Sequence, residues 1–118
     1  MANRRLLRVA DQLREELADI LRRQVHDPRV TDQDFTILRV EVSPDLAHAR
    51  VHVSSLLAEP KRSELVAGMN HAAAFVHREL MGRLRLKTIP TLVFAYDEGL
   101  AASQRIAELL QDLKREAA

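Results

Sequence analysis

The first apolar positions of the chain return every three or four residues. Leu6, Val9, Ala10, Leu13, Leu17, Ile20 and Leu21 keep to one stripe, the spacing of an amphipathic helix. It predicts a helix from Arg4 to Val25, with Asn3 a reasonable N-cap. The opposite side carries Arg4, Arg5, Arg8, Glu15, Asp19 and Arg22. His26-Asp27-Pro28 ends the helix, because the residue before proline avoids the α region, and Arg29 to Asp34 reads as a connecting loop. The period then shortens to two. Phe35 to Val42 sets Leu38, Val40 and Val42 against Arg39 and Glu41, and His48 to Ser54 sets Ala49, Val51 and Val53 against His48, Arg50 and His52. Ser43-Pro44-Asp45-Leu46 between them is turn chemistry, so the two half-buried strands form a hairpin.

Pro60 fits the first turn of the next helix. Leu65, Val66, Met69, Ala72, Ala73, Val76, Leu80 and Leu84 give a helical stripe running to about Leu86. Gly68 and Asn70 weaken it locally. With Gly68 followed by Ala72-Ala73-Ala74, the segment is either one bent helix or two helices meeting at an angle. Lys87-Thr88-Ile89-Pro90 stops it. Thr91 to Tyr96 reads as a third strand, with Leu92, Phe94 and Tyr96 on one face. Asp97-Glu98-Gly99 turns into a last helix from Ala101 to about Leu113, where Ile106, Leu109 and Leu110 are apolar. The order is helix, strand, strand, helix (bent or double), strand, helix. A helical crossover can return the third strand to the sheet of the hairpin, and helices over one face make an α+β sandwich. The expected organisation is one domain, with a core over about 4–97, a C-terminal helix over 98–113 and a frayed tail over 114–118.

Composition narrows the choice. The 118 residues fit one domain, and 47% are apolar, enough for a modest core. Aromatics make up 3% and Trp is absent, which argues against base stacking on an aromatic platform. Without cysteine there is no disulfide or thiolate zinc site, and a reducing compartment is the natural setting. No apolar run is long enough for a secretion signal or membrane span. The expectation is a soluble, cytoplasmic protein with no membrane partner.

Net charge is +1, but its distribution is uneven. Residues 61–90 carry six Lys/Arg against two Asp/Glu, and residues 1–30 seven against five. Residues 31–60 carry two against five, and residues 91–118 three against five. A polyanion partner and a mixed, well-solvated surface both fit that pattern. Arg4, Arg5 and Arg8 oppose the helix dipole, which favours anions at an N-terminus; they either meet a partner or sit on a frayed, solvated end.

Catalytic signals are few. Gly68, Gly82 and Gly99 are the glycines, and they make no phosphate loop. Ser54-Ser55 and Ser103 lack the context of a nucleophile elbow. His71 and His77 are six apart and point to different sides of a helix. Asp27, Asp32 and Asp34 lack the glycine and terminal glutamate of a calcium loop. The row His48, Arg50, His52 reads as a metal or catalytic cluster or, more simply, as a polar sheet face. No enzyme, metal, cofactor or small-molecule substrate is expected.

Ordered blocks along nearly the whole chain resemble the bacterial ribosome-binding factor A family. They are Arg8-Val9-Ala10-Asp11-Gln12-Leu13 with Ile20-Leu21, Asp27-Pro28-Arg29-Val30, and Arg39-Val40-Glu41-Val42-Ser43-Pro44-Asp45-Leu46 running into Ala49-Arg50-Val51-His52-Val53-Ser54. Phe75-Val76-His77-Arg78-Glu79-Leu80, Arg83-Leu84-Arg85-Leu86-Lys87, Ile89-Pro90-Thr91-Leu92-Val93-Phe94 and Tyr96-Asp97-Glu98 follow. The resemblance implies a type II KH-like α+β domain, order α-β-β-α-α-β plus a C-terminal helix, with a three-stranded sheet covered by helices on one face. The GxxG clamp of a usual KH domain is missing. The family's Ala-x-Gly interhelical kink falls on Ala72, Ala73 and Ala74, with Ala74 at the glycine position. Alanine makes a positive φ costly, which leaves either a bend built with helical dihedrals or a shallower one.

What the resemblance implies functionally is a non-catalytic, monomeric assembly factor. It would bind the free 30S subunit and 16S rRNA near the 5′-terminal helix, assist late rRNA processing and support growth in the cold. Such a role needs phosphate contacts more than base readout. Arg62, His71, Arg78, Arg83, Arg85 and Lys87 supply them, and Arg4, Arg5 and Arg8 extend the footprint. The rival reading, from the near-neutral total charge and the missing GxxG loop, is a protein-interaction or dimerisation module without RNA binding.

Overall fold

The computed structural model describes residues 4–98 and 109–115. Helix α1 spans Arg4–Arg23 and buries Val9, Leu13, Leu17, Ile20 and Leu21, the stripe its spacing predicts. It ends two residues before Val25, which closes a wide last turn by donating to Ile20 O (3.1 Å).

The expected loop over Arg29–Asp34 contains a one-turn helix, α2, over Pro28–Thr31. Asp27 is its N-cap and accepts from Arg29 N at 3.0 Å, and Pro28 takes the first position, where a missing N–H costs nothing. Val30 on this turn is fully buried, so the segment is part of the core.

Strands β1 (Thr36–Val42) and β2 (His48–Ser54) pair antiparallel, and β3 (Thr91–Tyr96) joins β2 in parallel, giving the order β1-β2-β3. A parallel pair needs a long crossover, supplied by α3 (Lys61–His71) and α4 (Ala73–Arg83). Pro60 sits one place before α3, at its N-cap. Helix α1 packs on β1, and α3 and α4 pack against β3. The core between the layers includes Val51, Val53, Phe94, Leu65, Met69, Val76 and Leu80.

The register of β1 corrects the simple alternation. Ile37 pairs with Val53 and Arg39 with His52, so Leu38 is the extra residue of a bulge. A bulge reverses the side-chain parity. Ile37 and Val40 are therefore the buried residues of the strand, while Leu38 and Val42 are half-buried. The hairpin turn closes through Ser43, which accepts from Leu46 N at 2.8 Å through its carbonyl. Leu46 takes φ 61°, and packing of its side chain against the core compensates for that left-handed conformation.

The crossover is two helices. Ala72 lies between them with φ −86° and ψ 0°, and its N–H is shared between Gly68 O and Met69 O at 3.1 Å each. The break is thus built with a negative φ, which alanine adopts without the cost that φ > 0 would bring. Helix α4 stops at Arg83, three residues short of the expected Leu86. Leu84 is extended (φ −111°, ψ 138°). From there Leu84 and Leu86 are half-buried while Arg85 and Lys87 are exposed, a period of two. Gly82 in the last turn weakens the helix, and the Leu-Arg-Leu-Lys alternation takes over.

Residues 109–115 are helical, with Leu109, Leu110 and Leu113 exposed. Asn3, Gly99 and residues 100–108 of the expected C-terminal turn and helix lie outside the described residues. Among the described residues no helix is long and apolar enough to cross a membrane.

Candidate nucleic-acid interface

Helices α1 and α4 run side by side in opposite directions. The start of α4 meets the end of α1, where His71, Ala72 and Phe75 share a cleft of about 410 Å³ with Gln24, Val25 and His26. The end of α4 meets the middle of α1 through Arg83, whose Nη1 donates to Asp19 Oδ2 (2.6 Å) and Glu16 Oε2 (3.1 Å). The Arg83 hydrogen bond holds the Asp19 carboxyl below the usual carboxylate range, against the opposing effect of burial. Arg83 is thereby a clamp between helices, with its positive charge committed to two carboxylates.

Arg62 is also engaged. Its guanidinium stacks over the Tyr96 ring, 4.5 Å from the centroid, its Nε donates to Leu57 O (3.3 Å), and its Nη1 donates to Glu98 Oε1 (3.2 Å). Tyr96 is itself anchored: its hydroxyl donates to Ser55 O (2.7 Å) and accepts from Ser55 N (3.2 Å). Burial pushes the Tyr96 phenol up. The Ser55 hydrogen bonds and the nearby Arg62 charge outweigh that and leave it below the ordinary phenol value.

The remaining predicted cations stand differently. Arg78 is exposed on α4 at the lip of a cleft of about 400 Å³, whose walls include Ala73, Ala74, His77 and Leu92. Arg85 and Lys87 are exposed on the extended segment that follows α4. The His77 ring holds this segment against the helix by donating to Ile89 O (3.0 Å). Arg78, Arg85 and Lys87 have no carboxylate partner among the described residues. His71 is exposed at the end of α3, and its charge, when present, helps to lower the Asp27 carboxyl, which Arg29 lowers most. Arg4, Arg5 and Arg8 are exposed on the first turns of α1. Arg8 stands about 12 Å along the helix axis from Glu16 at ~1.5 Å per residue.

Of the interhelical alanines, Ala72 and Ala73 are half-buried against the core and Ala74 is exposed beside Arg78. The structure therefore gathers Arg78 with Ala73 and Ala74, and continues to Arg85 and Lys87 along one strand of chain. It leaves His71 on the opposite side of the break and turns Arg62 and Arg83 inward.

The open sheet face holds the other candidate cluster. His52 is buried, at 8% exposure, with Nε2 2.8 Å from Glu41 Oε1 and Nδ1 3.6 Å from Asp97 Oδ2. Arg39 reaches Glu41 (3.2 Å) and Asp97 (4.0 Å) beside it. The two carboxylates approach opposite ring nitrogens, so they cannot close with the imidazole on one ion. Among the described residues no group of three or more His, Cys, Asp or Glu is placed to hold a metal. His48 and Arg50 stay exposed. The row is a polar sheet face on which His52 and Arg39 meet Glu41 and Asp97.

Two structural residues escaped the sequence reading. Asn70, met there as a weak point in a helix, hydrogen-bonds the backbone of β3. Gly68 lets α2 approach α3: a Cβ there would stand 3.0 Å from Val30 Cγ2 and 3.1 Å from Arg29 Cβ. Neither partner is adjacent in sequence. The α2 helix, expected as a connecting loop, has a local signal in the Asp27 cap followed by Pro28.

A three-stranded mixed sheet with helices on one face, a broken two-helix crossover and a cationic exit from it define an α+β domain of the KH-like type. The comparisons with known proteins agree. A family model described as ribosome-binding factor A matches residues 5–110. Ribosome-binding factor A of Azoarcus sp. (strain BH72) is 41% identical over 109 residues, covering 92% of this chain and 85% of that protein. The chain belongs to the ribosome-binding factor A family. The solution structure of a Thermotoga maritima protein described as a putative ribosome binding factor A superposes with a TM-score of 0.72 at 31% identity, over 84% of this chain and 92% of that one. A homology model of Thermus thermophilus ribosome binding factor A, fitted into a cryo-electron-microscopy map of a 30S complex, shares the fold with a TM-score of 0.60 at 24% identity, over 75% and 90% of the two chains.

Proposed function

We propose that this chain is a non-catalytic assembly factor that binds the free 30S ribosomal subunit through 16S rRNA, in the region of its 5′-terminal helix. It assists late 16S rRNA processing, leaves before translation and acts as a cytoplasmic monomer of one domain. Family membership supports the ribosomal partner, and the Thermus relative fitted into a 30S complex supports the subunit. The observation that carries the RNA contact is the exposed set Arg78, Arg85 and Lys87, cations without carboxylate partners among the described residues, of which Arg78 stands beside the small side chains of Ala73 and Ala74. Phosphate contacts of this kind hold a protein on RNA without reading sequence. Arg4, Arg5 and Arg8 extend the footprint and His71 flanks it, while Arg62 and Arg83 act first as structural ties. Primer extension on free 30S particles tests the processing role. Cells lacking the protein should accumulate 16S rRNA with unprocessed 5′ ends; wild-type proportions of mature ends would contradict it.

A further inference from the structure

Arg62 differs from the other engaged arginines in how it is held. Tyr96 fixes the plane of its guanidinium from 4.5 Å and Leu57 O fixes Nε at 3.3 Å, so the side chain is only 20% exposed. Among the described residues its charge, by contrast, is met through a single hydrogen bond of 3.2 Å to Glu98, whose side chain is 64% exposed. Arg83 has two carboxylates on a packed helix, and Arg29 makes three side-chain bonds to Asp27. Glu59 borders the same cleft of about 450 Å³, but its carboxylate is committed to Ser63 N (2.9 Å) and Ser63 Oγ in the first turn of α3.

The guanidinium is thus pre-oriented by neutral groups and, among the described residues, neutralised by one weakly held anion. An exposed single-bond ion pair changes an equilibrium by no more than about fivefold. A phosphate offers more acceptor oxygens and suits the planar fork of arginine better. Exchange needs little movement. Asp97, just before Glu98, is pinned by its N–H to Val53 O (2.8 Å) and by the approach of its carboxylate to His52 and Arg39, so the Glu98 side chain can turn away while β3 stays intact.

We propose that Glu98 is an internal stand-in for an RNA phosphate at Arg62, so that RNA binding at this end of α3 and the Arg62–Glu98 pair exclude one another. This rests on the RNA-binding reading above. The test measures binding of the full chain to purified 30S subunits across a salt series. Glu98→Gln should bind about two- to fivefold tighter than wild type and lose affinity more steeply with salt, because an internal competitor that salt also weakens is gone. Glu64→Gln removes the same charge from the first turn of α3 without touching Arg62 and should change affinity less. In an Arg62→Gln background, Glu98→Gln should change affinity no more than Glu64→Gln does. A Glu98→Gln gain no larger than that of Glu64→Gln, or one that persists without Arg62, overturns the exchange while wild-type binding stands. Absence of wild-type binding at every salt concentration overturns the RNA reading and the exchange together.

Discussion

Asn70 pairs with the outer edge of β3 at Phe94 through both ends of its side-chain amide. Nδ2 donates to Phe94 O at 2.9 Å and Oδ1 accepts from Phe94 N at 2.8 Å. Thr91 N donates inward to Ala47 O, just before β2, and Asp97 N to Val53 O on β2, so the alternate residue Phe94 presents its backbone groups outward, where a strand edge would otherwise lie open. One side chain of α3 does there what a fourth strand would do, and it fixes the crossover to the strand it returns.

Asn70→Ala should therefore destabilise by about 1–3 kcal/mol, since two hydrogen bonds are lost next to the buried Phe94. Asn70→Asp keeps the acceptor for Phe94 N but sets a carboxylate against Phe94 O. Its deficit relative to wild type should shrink on acidification, when the protonated acid can donate. Urea denaturation at two pH values measures both; an Asp variant with a pH-independent deficit would contradict the bidentate pairing.

The two described helical glycines should respond in opposite directions. At Gly82 an added Cβ meets nothing within 4 Å, so Gly82→Ala should stabilise by up to about 1 kcal/mol through helix propensity. Gly68→Ala gains the same propensity but drives its methyl group against Val30 and the Arg29 Cβ, both held by the α2 turn. Overpacking of that kind costs about 1–3 kcal/mol, so the net change should be destabilising. Thermal melts of the two variants decide it.

Stability should fall as pH drops below the ordinary carboxylate range. Asp19, Asp27 and Asp45 are all held below that range, chiefly by hydrogen bonds from Arg83, Arg29 and Ser43 respectively. A depressed folded value means that the unfolded chain takes up protons first as pH drops. The stabilisation is present above the unfolded carboxyl value and is lost as pH falls through the folded one. Asp19→Asn should flatten this acid limb in pH-dependent denaturation; an unchanged limb would count against the Arg83 clamp.

Tyr96 is the only tyrosine of the chain, so its phenolate can be followed by ultraviolet absorbance without interference. Its midpoint should lie below the ordinary phenol value, and Arg62→Gln should raise it by removing the facing charge. A midpoint unaffected by Arg62→Gln would contradict the stacked geometry.

Local pattern carried the sequence reading where local physics decides. The stripe of α1 and the strand Thr91–Tyr96 follow from periodicity, and the latter is found at those bounds. The break at Ala72 was legible as an alternative, because alanine both forms helices and permits close packing. Leu38 misled because a bulge reverses parity without leaving a compositional mark. Charge placed candidate cations on the crossover, but only the fold distinguishes Arg83, paired with α1 across the domain, from Arg85 two residues on, which faces solvent. The helix spacing said nothing of Asn70, whose partner lies on a strand 24 residues away.

On the proposed reading, the exposed cations Arg78, Arg85 and Lys87, on α4 and the segment that follows it, hold this protein on the free small subunit. Sedimentation of cell extract through a sucrose gradient tests it directly, comparing wild type with a variant carrying Arg78→Glu, Arg85→Glu and Lys87→Glu. Wild type should appear in the 30S fractions and not with assembled ribosomes, and the variant should remain folded at the top of the gradient. Wild type found only at the top, at low as well as physiological salt, or a variant that still travels with 30S, would contradict the account.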